Sequence, residues 1–106
     1  MHVRVILPVI TASWVKETRE GYAGAARSST EISVVPLDWG TPSIECYRDE
    51  SLVVPDIITK AVEAEDDGVD ALIIDCMADP GLDAARELVD IPVVGPAQAS
   101  LHLAAT

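Results

Sequence analysis

The chain has 106 residues, 49% of them hydrophobic, and its 7 basic and 18 acidic side chains give a formal net charge of −11. This length supports one domain with one core, and the apolar share is too high for a disordered segment. The acidity argues against a nucleic-acid or anionic-membrane partner, because phosphate binding relies on clustered Lys and Arg.

So acidic a surface predicts a soluble cytoplasmic protein, and the hydropathy pattern predicts no membrane partner. No apolar run approaches the roughly 18–20 residues that cross a bilayer. The segment Met1–Pro8 is too short and too strand-like for a signal peptide. Cys46 and Cys76 form neither a metal motif nor a redox pair, so we expect no metal site. Their spacing permits a disulfide, but nothing in the sequence indicates an oxidising compartment.

Short β-branched runs alternate with longer Ala-rich helical runs along the chain. The predicted strands are Val3–Leu7, Glu31–Leu37, Asp70–Asp75 and Pro92–Gly95. The predicted helices run from Thr11 or Ser13 to Ala26, from Ser51 to Gly68, from Pro80 to Val89 and from Ala97 to Ala105. Residues 38–50 have no helical period and predict a loop, and Pro36 indicates that the second strand ends at a sheet edge.

Residues that favour helix N-termini precede two of these helices. Thr11 or Ser13 can cap the first helix, and Asp79 can cap the third, with Pro80 at its first position. The third helix would then begin close behind Cys76. Its free N–H groups would lie near the sulfur, in a place that favours anions.

This alternation predicts an α/β protein with a flavodoxin-like, doubly wound parallel sheet of four strands. The expected strand order is 2-1-3-4, with helices on both faces. The order reverses between the first and third strands, and ligands bind at the carboxyl ends of the strands beside such a reversal. Two loops, residues 8–13 and 76–81, meet there. Topology alone therefore predicts a binding site at this edge.

Cys76 directly follows the third strand, at the predicted switch point. A free cysteine in this place is either a buried small hydrophobe or a reactive thiol. A helix dipole would stabilise the thiolate by only about 0.3–1 kcal/mol. Asp75 and Asp79 oppose it, because neighbouring carboxylates disfavour a second negative charge. Direct N–H bonds to the sulfur would therefore have to contribute.

The segments Gly40–Glu45, Cys76–Glu87 and Ile91–Ser100 resemble the aspartate/glutamate/hydantoin racemase superfamily, most of all its hydantoin racemase branch. The resemblance covers nearly the whole chain in the family's order. It implies cofactor-independent proton transfer at a carbon next to a carbonyl, with one cysteine as thiolate base and a facing cysteine as thiol acid. The implied partner is a small-molecule substrate: a hydantoin, an amino acid, or a related carboxylate or amide.

The resemblance also assigns roles to residues around the crevice. Cys76 matches the first family cysteine and is the predicted catalytic residue. The enolate-like oxygen that forms during proton transfer needs N–H or hydroxyl donors. The predicted substrate-binding residues are Thr11, Ser13, Met77, Ala78 and Asp79.

Three departures from the family pattern bear on the predicted activity. Val9 follows Pro8 where the family has Asn, and Asp75 stands where a small neutral residue is usual. The family's second cysteine lies in a second lobe beyond position 106, and Cys46 matches no catalytic motif. Residues 1–106 are therefore predicted to form a single racemase-type lobe.

Two functions remain open at this point. In the first, the chain is a racemase-like enzyme that is complete as a homo-oligomer, with Cys76 of two copies facing each other across a shared cleft. Alternatively it is a catalytically inactive half-domain that binds a small anion or a partner. Val9 and the missing second cysteine favour the alternative.

Overall fold

The computed structural model describes all 106 residues and has eight elements. The strands are β1 (His2–Ile6), β2 (Glu31–Val35), β3 (Ala71–Ile74) and β4 (Val93–Val94). The helices are α1 (Val15–Ala25), α2 (Tyr47–Asp66), α3 (Leu82–Leu88) and α4 (Pro96–Ala104). No helix is both long enough and apolar enough to span a membrane.

The strands form one sheet in the order β2-β1-β3-β4, and every neighbouring pair is parallel. In the centre, Ile6 of β1 lies beside Val35 of β2 and Ile74 of β3. The predicted α/β fold and its 2-1-3-4 order are confirmed, and β2 is an edge strand. Parallel pairing brings the carboxyl ends of all four strands to one edge of the sheet.

One face of the sheet packs against α2 and α3. Ile6, Leu72 and Ile74 lie on this face and are fully buried, together with Ile57 of α2. They belong to a cluster of 13 buried hydrophobic residues. The apolar residues of α2 recur at helical spacing, which turns one side of that helix toward the sheet.

The opposite face packs against α1 and has a smaller core. Successive strand residues point to opposite faces, so Val5 and Leu7 lie on the other side of the sheet from Ile6. They form a cluster of four buried residues with Val9 and Val34. Helix α1 has no fully buried residue, and it contributes the partly buried Val15 and Tyr22.

Helix α2 begins at Tyr47, four residues before the predicted start at Ser51. The carboxylate of Asp49 accepts a hydrogen bond from the backbone N–H of Glu45 at 3.1 Å, which ties the incoming loop to the first turn. The prediction of a loop to residue 50 was wrong because this turn projects exposed side chains such as Tyr47 and Arg48. An apolar period cannot report a turn that buries no apolar side chain.

The cap predicted for α1 is also wrong. Trp14 occupies the N-cap position and makes no side-chain cap bond. Thr11 and Ser13 bond to each other instead: the Thr11 hydroxyl donates to Ser13 Oγ at 2.9 Å and accepts from the Ser13 N–H at 3.2 Å. Both hydroxyls are engaged in the turn before the helix.

Asp79 caps α4 rather than α3. Helix α3 begins at Leu82, and Gly81 occupies its N-cap with a left-handed φ of 71°. The Asp79 carboxylate accepts hydrogen bonds from the backbone N–H groups of Ala97 at 3.1 Å and Gln98 at 2.9 Å. The predicted Asp-Pro start was wrong because the sheet brings the N-terminus of α4 within reach of the loop after β3.

Candidate active site

Cys76 is held at the carboxyl end of β3 by a series of backbone hydrogen bonds. The Asp75 N–H donates to the Ile6 carbonyl at 3.0 Å, which extends the β1–β3 pairing by one residue. The Cys76 N–H donates to the Ile74 carbonyl, and the Cys76 carbonyl accepts from the Asp79 N–H, both at 2.9 Å. The thiol therefore projects from the edge of the sheet that topology identified.

Cys76 lines a cavity of about 830 Å³ on the α1 side of the sheet. Leu7 and Val9 from the end of β1 form part of its apolar lining, and Trp14 of the α1 N-terminus and Ile44 of the 40–46 loop also line it. This volume lies within the range of small-molecule sites, which are typically about 300–1,000 Å³.

Tyr22 of α1 and Asp75 form a hydrogen-bonded pair in this cavity. The Tyr22 hydroxyl donates to Oδ1 of Asp75 at 2.9 Å. Burial, the hydrogen bond and the negative charge of Asp75 raise the pKa of Tyr22 well above its ordinary value of 10.0. Tyr22 therefore remains a neutral donor at physiological pH, and its hydrogen bond fixes the Asp75 carboxylate in the cavity lining.

The charged residues that line the cavity are Glu17 and Asp75, and no lysine, arginine or histidine lines it. Glu17 is exposed at the cavity rim on α1, whereas Asp75 is half-buried. Nowhere does the structure gather three or more His, Cys, Asp or Glu side chains in a group that could hold a metal ion.

The predicted site residues do not all come together. The structure places Cys76 in the cavity, but the other five predicted residues are absent from its lining. Met77 is 66% exposed, and Ala78 and Asp79 line a separate, smaller cleft beside α3. The substrate-binding roles assigned to Thr11, Ser13, Met77, Ala78 and Asp79 stay predictions.

Five lining residues of α1 were not singled out as predicted site residues: Glu17, Thr18, Gly21, Tyr22 and Ala25. Trp14, Thr18 and Tyr22 are four residues apart in sequence, so they share one side of the helix. Because the predicted helix begins at the switch-point loop, this spacing was the signal in the sequence that could have placed these side chains at the site. The partner of Tyr22 lies 53 residues away, and no local pattern indicates it.

The two cysteines lie in different environments, and both are free. Cys46 is exposed at the N-cap of α2, outside the cavity, whereas Cys76 is half-buried in its lining. The disulfide that the spacing permitted is not formed. The chain thus contributes one thiol to the cavity.

The chain is an α/β protein with a parallel sheet, and a thiol at the switch point of this sheet lines a cavity. The chain belongs to the Asp/Glu/Hydantoin racemase family, whose model matches residues 3–106. The resemblance found in the sequence is confirmed.

Individual relatives agree with this assignment. The chain is 45% identical over 104 residues to a hydantoin racemase of Pseudomonas sp. (strain NS671), and 40% identical over 108 residues to one of Rhizobium meliloti. These matches cover 98% and 100% of this chain but 42% and 44% of the relatives. The chain therefore spans less than half the length of the curated relatives it matches.

Two solved structures also match this chain over less than half of their own length. An allantoin racemase from Klebsiella pneumoniae superposes with a TM-score of 0.89 at 39% identity, over 99% of this chain and 43% of its own. The allantoin racemase of Pseudomonas fluorescens superposes with a TM-score of 0.82 at 27% identity, over 90% of this chain and 40% of its own.

Proposed function

We propose that this chain forms one lobe of a hydantoin racemase-like enzyme in which the Cys76 thiolate transfers a proton at a carbon next to a carbonyl. The observation that carries the proposal is the position of Cys76, at the carboxyl end of β3 and in the lining of an 830 Å³ cavity. The names of the related racemases support the substrate class.

The chemistry requires groups on both faces of the substrate carbon. A thiolate removes the proton from one face, and the electron pair of the C–H bond moves to the carbonyl oxygen. A thiol on the other face then returns a proton with inversion. Cys46 cannot supply that second thiol because it lies outside the cavity. We propose that a second copy of the chain supplies it, with the two Cys76 side chains facing each other.

The position of Asp75 favours a second candidate, a binding half-domain without catalysis. Its carboxylate lines the same cavity as Cys76, and a second negative charge close to a carboxylate is disfavoured. The Tyr22 hydroxyl holds this carboxylate in place through its hydrogen bond to Oδ1. A small anion is a poor ligand for such a site, because two carboxylates and no cation line it.

Proton exchange in deuterated water tests the catalytic proposal. The wild-type chain should remove the α-proton signal of an optically pure 5-substituted hydantoin at neutral pH, above the buffer-only rate. The variant Cys76→Ala should lose this exchange, and Cys46→Ala is the matched control that should retain it. The measurement is proton NMR combined with optical rotation.

The stereochemical outcome separates one thiol from two. A single Cys76 predicts exchange with retention of configuration, whereas paired Cys76 residues predict exchange with inversion and a rate per chain that rises with protein concentration. If no exchange occurs at any concentration and Cys76→Ala matches the wild type, the catalytic proposal is wrong.

A further inference from the structure

We propose that Asp75, oriented by Tyr22, is a specificity-determining residue that selects neutral ligands with an N–H donor and rejects ligands that carry a carboxylate. This deepens the proposed function, because it narrows the substrate class from amino acids, carboxylates and amides to uncharged molecules that offer an N–H donor. The proposal rests on the proposed function where it calls the ligand a substrate. The selectivity itself concerns binding and does not require turnover.

The first argument is the geometry of the Asp75 carboxylate. Oδ1 accepts the Tyr22 hydroxyl at 2.9 Å, and the backbone N–H of Asp75 is bonded to Ile6 at 3.0 Å, so main chain and side chain are both fixed. Oδ2 accepts no hydrogen bond from the protein. An ionised carboxylate is an acceptor only. A ligand in the cavity is therefore offered a fixed acceptor, and an amide or imide N–H complements it.

The second argument is the charge of the lining. Glu17 and Asp75 both carry negative charge, and no cation lines the cavity to offset them. The rest of the lining includes apolar groups such as Leu7, Val9 and Ile44, which provide little screening. A ligand carboxylate placed here would meet a like charge in a medium of reduced dielectric constant, which weakens its binding by at least about tenfold.

The third argument is that Tyr22 cannot provide an anion site. Its hydroxyl lines the cavity, and Asp75 already accepts the hydrogen of that hydroxyl. The raised pKa of Tyr22 keeps the proton on the tyrosine, so its hydroxyl remains a donor to Asp75. The pair therefore presents an acceptor to the ligand.

Binding of a matched pair of probes tests the proposal. N-carbamoylalanine carries a carboxylate, and N-carbamoylalaninamide has the same skeleton without the charge; 5-methylhydantoin serves as the neutral cyclic probe. Quenching of Trp14 fluorescence reports occupation of the cavity. The full chain is used in a Trp39→Phe background, since Trp39 is 78% exposed and lies outside the lining.

We expect the wild-type site to bind the amide at least about tenfold more tightly than the carboxylate. Asp75→Asn should reduce this ratio to less than about threefold, mainly by improving the binding of the carboxylate. Glu17→Gln is the matched control for loss of a carboxylate, and it should change the ratio less because Glu17 is exposed and screened by salt. Tyr22→Phe should weaken the neutral probes and so lower the ratio in part, because the acceptor loses its orientation while the Asp75 carboxylate remains.

The proposal is overturned if the wild type binds amide and carboxylate equally, if Asp75→Asn leaves the ratio unchanged, or if no probe quenches Trp14 saturably. The wild-type ratio needs no variant, so the test stands even if Asp75→Asn does not fold. Binding is measured independently of exchange, and Cys76→Ala should keep the ratio. A selective site without proton exchange would therefore reject the proposed catalysis alone, and exchange without selectivity would reject the role of Asp75 alone.

Discussion

The two faces of the sheet differ in how completely helices cover them. The α2/α3 face has a core of 13 buried residues, whereas the α1 face has a core of four, although the same strands supply both. The cavity and Cys76 lie on the α1 side. The comparison indicates that one face supplies most of the packing stability and that the thinly covered face leaves room for a ligand.

The largest expected effect comes from neighbouring residues of β3 on opposite faces. Ile74 is fully buried on the α2/α3 face, and Ile73 is partly buried on the α1 face. Ile74→Ala should lower the free energy of unfolding by about 3–5 kcal/mol, because it leaves a cavity in close-packed surroundings. Ile73→Ala should cost about 1–2 kcal/mol, since less apolar surface is lost from burial.

Urea denaturation of the two variants measures this difference. Both variants replace an isoleucine of β3 with alanine, so they differ only in the packing on the two faces of the sheet. Equal losses would contradict the view that the two faces contribute unequally to stability.

A smaller effect is expected where the loop after Cys76 packs on the start of α4. Gly95 has an ordinary φ of −102°, so it is required for space and not for backbone conformation. A Cβ there would lie 2.6 Å from the Asp79 carboxylate and 2.7 Å from Leu82. Gly95→Ala should therefore destabilise the fold by about 1–3 kcal/mol. Asp79→Ala, which removes the α4 cap, should cost about 0.5–2 kcal/mol.

Gly24→Ala is the control for these variants. Gly24 lies in α1 with open space around its Cβ position, so alanine should stabilise the protein by up to about 1 kcal/mol through helix propensity. Thermal unfolding by circular dichroism would compare the three proteins. A Gly95→Ala protein as stable as Gly24→Ala would exclude the close approach of Asp79 to α4.

The smallest expected effect is an alkaline loss of stability on the α1 face. Because the folded pKa of Tyr22 is raised, the unfolded chain loses this proton above about pH 10 while the folded chain keeps it. The contribution of Tyr22 to the free energy of unfolding is therefore fully present below about pH 10 and decreases as the pH rises above it. Tyr22→Phe should flatten the stability curve in that range, and Tyr47→Phe, at an 88% exposed tyrosine, should not.

Lys60 adds a second alkaline contribution on the other side of the molecule. Its pKa is raised, chiefly by the hydrogen bond to Asp38, so its stabilisation is also lost as the pH rises through the alkaline range. The Tyr22→Phe protein should therefore keep a residual slope. Urea midpoints at several alkaline pH values measure the Tyr22 and Lys60 contributions. If stability falls with pH equally steeply in the wild type and in Tyr22→Phe, the role of Tyr22 is contradicted.

Much of the architecture could be predicted because the sequence repeats its signal within each element. The β-branched runs at β1, β2 and β3 and the spaced apolar residues of α2 indicate burial directly. Their alternation predicts a parallel sheet, and the sheet order places Cys76 at the switch point. The start of α2 could not be predicted, since its first turn buries no apolar side chain.

The site was predicted less completely than the fold. Cys76 was found from its place after β3 and from the motif around it. Asp79 was misassigned as the cap of the nearest helix, because an Asp-Pro pair is a local signal and its real partners at Ala97 and Gln98 are 18 and 19 residues away. The two loops predicted to surround Cys76 were thus only part of its surroundings, because α1 also lines the cavity.

By itself, the sequence determined the order of strands and helices, the parallel sheet, the racemase family and the place of the thiol. Only the tertiary structure decided that Asp79 caps α4, that Tyr22 bonds to Asp75, and that the α1 face is thinly covered beside the cavity. The physical reason is range. Periodicity reports which side of one element is buried, whereas a hydrogen bond between residues 53 positions apart exists only once the chain has folded.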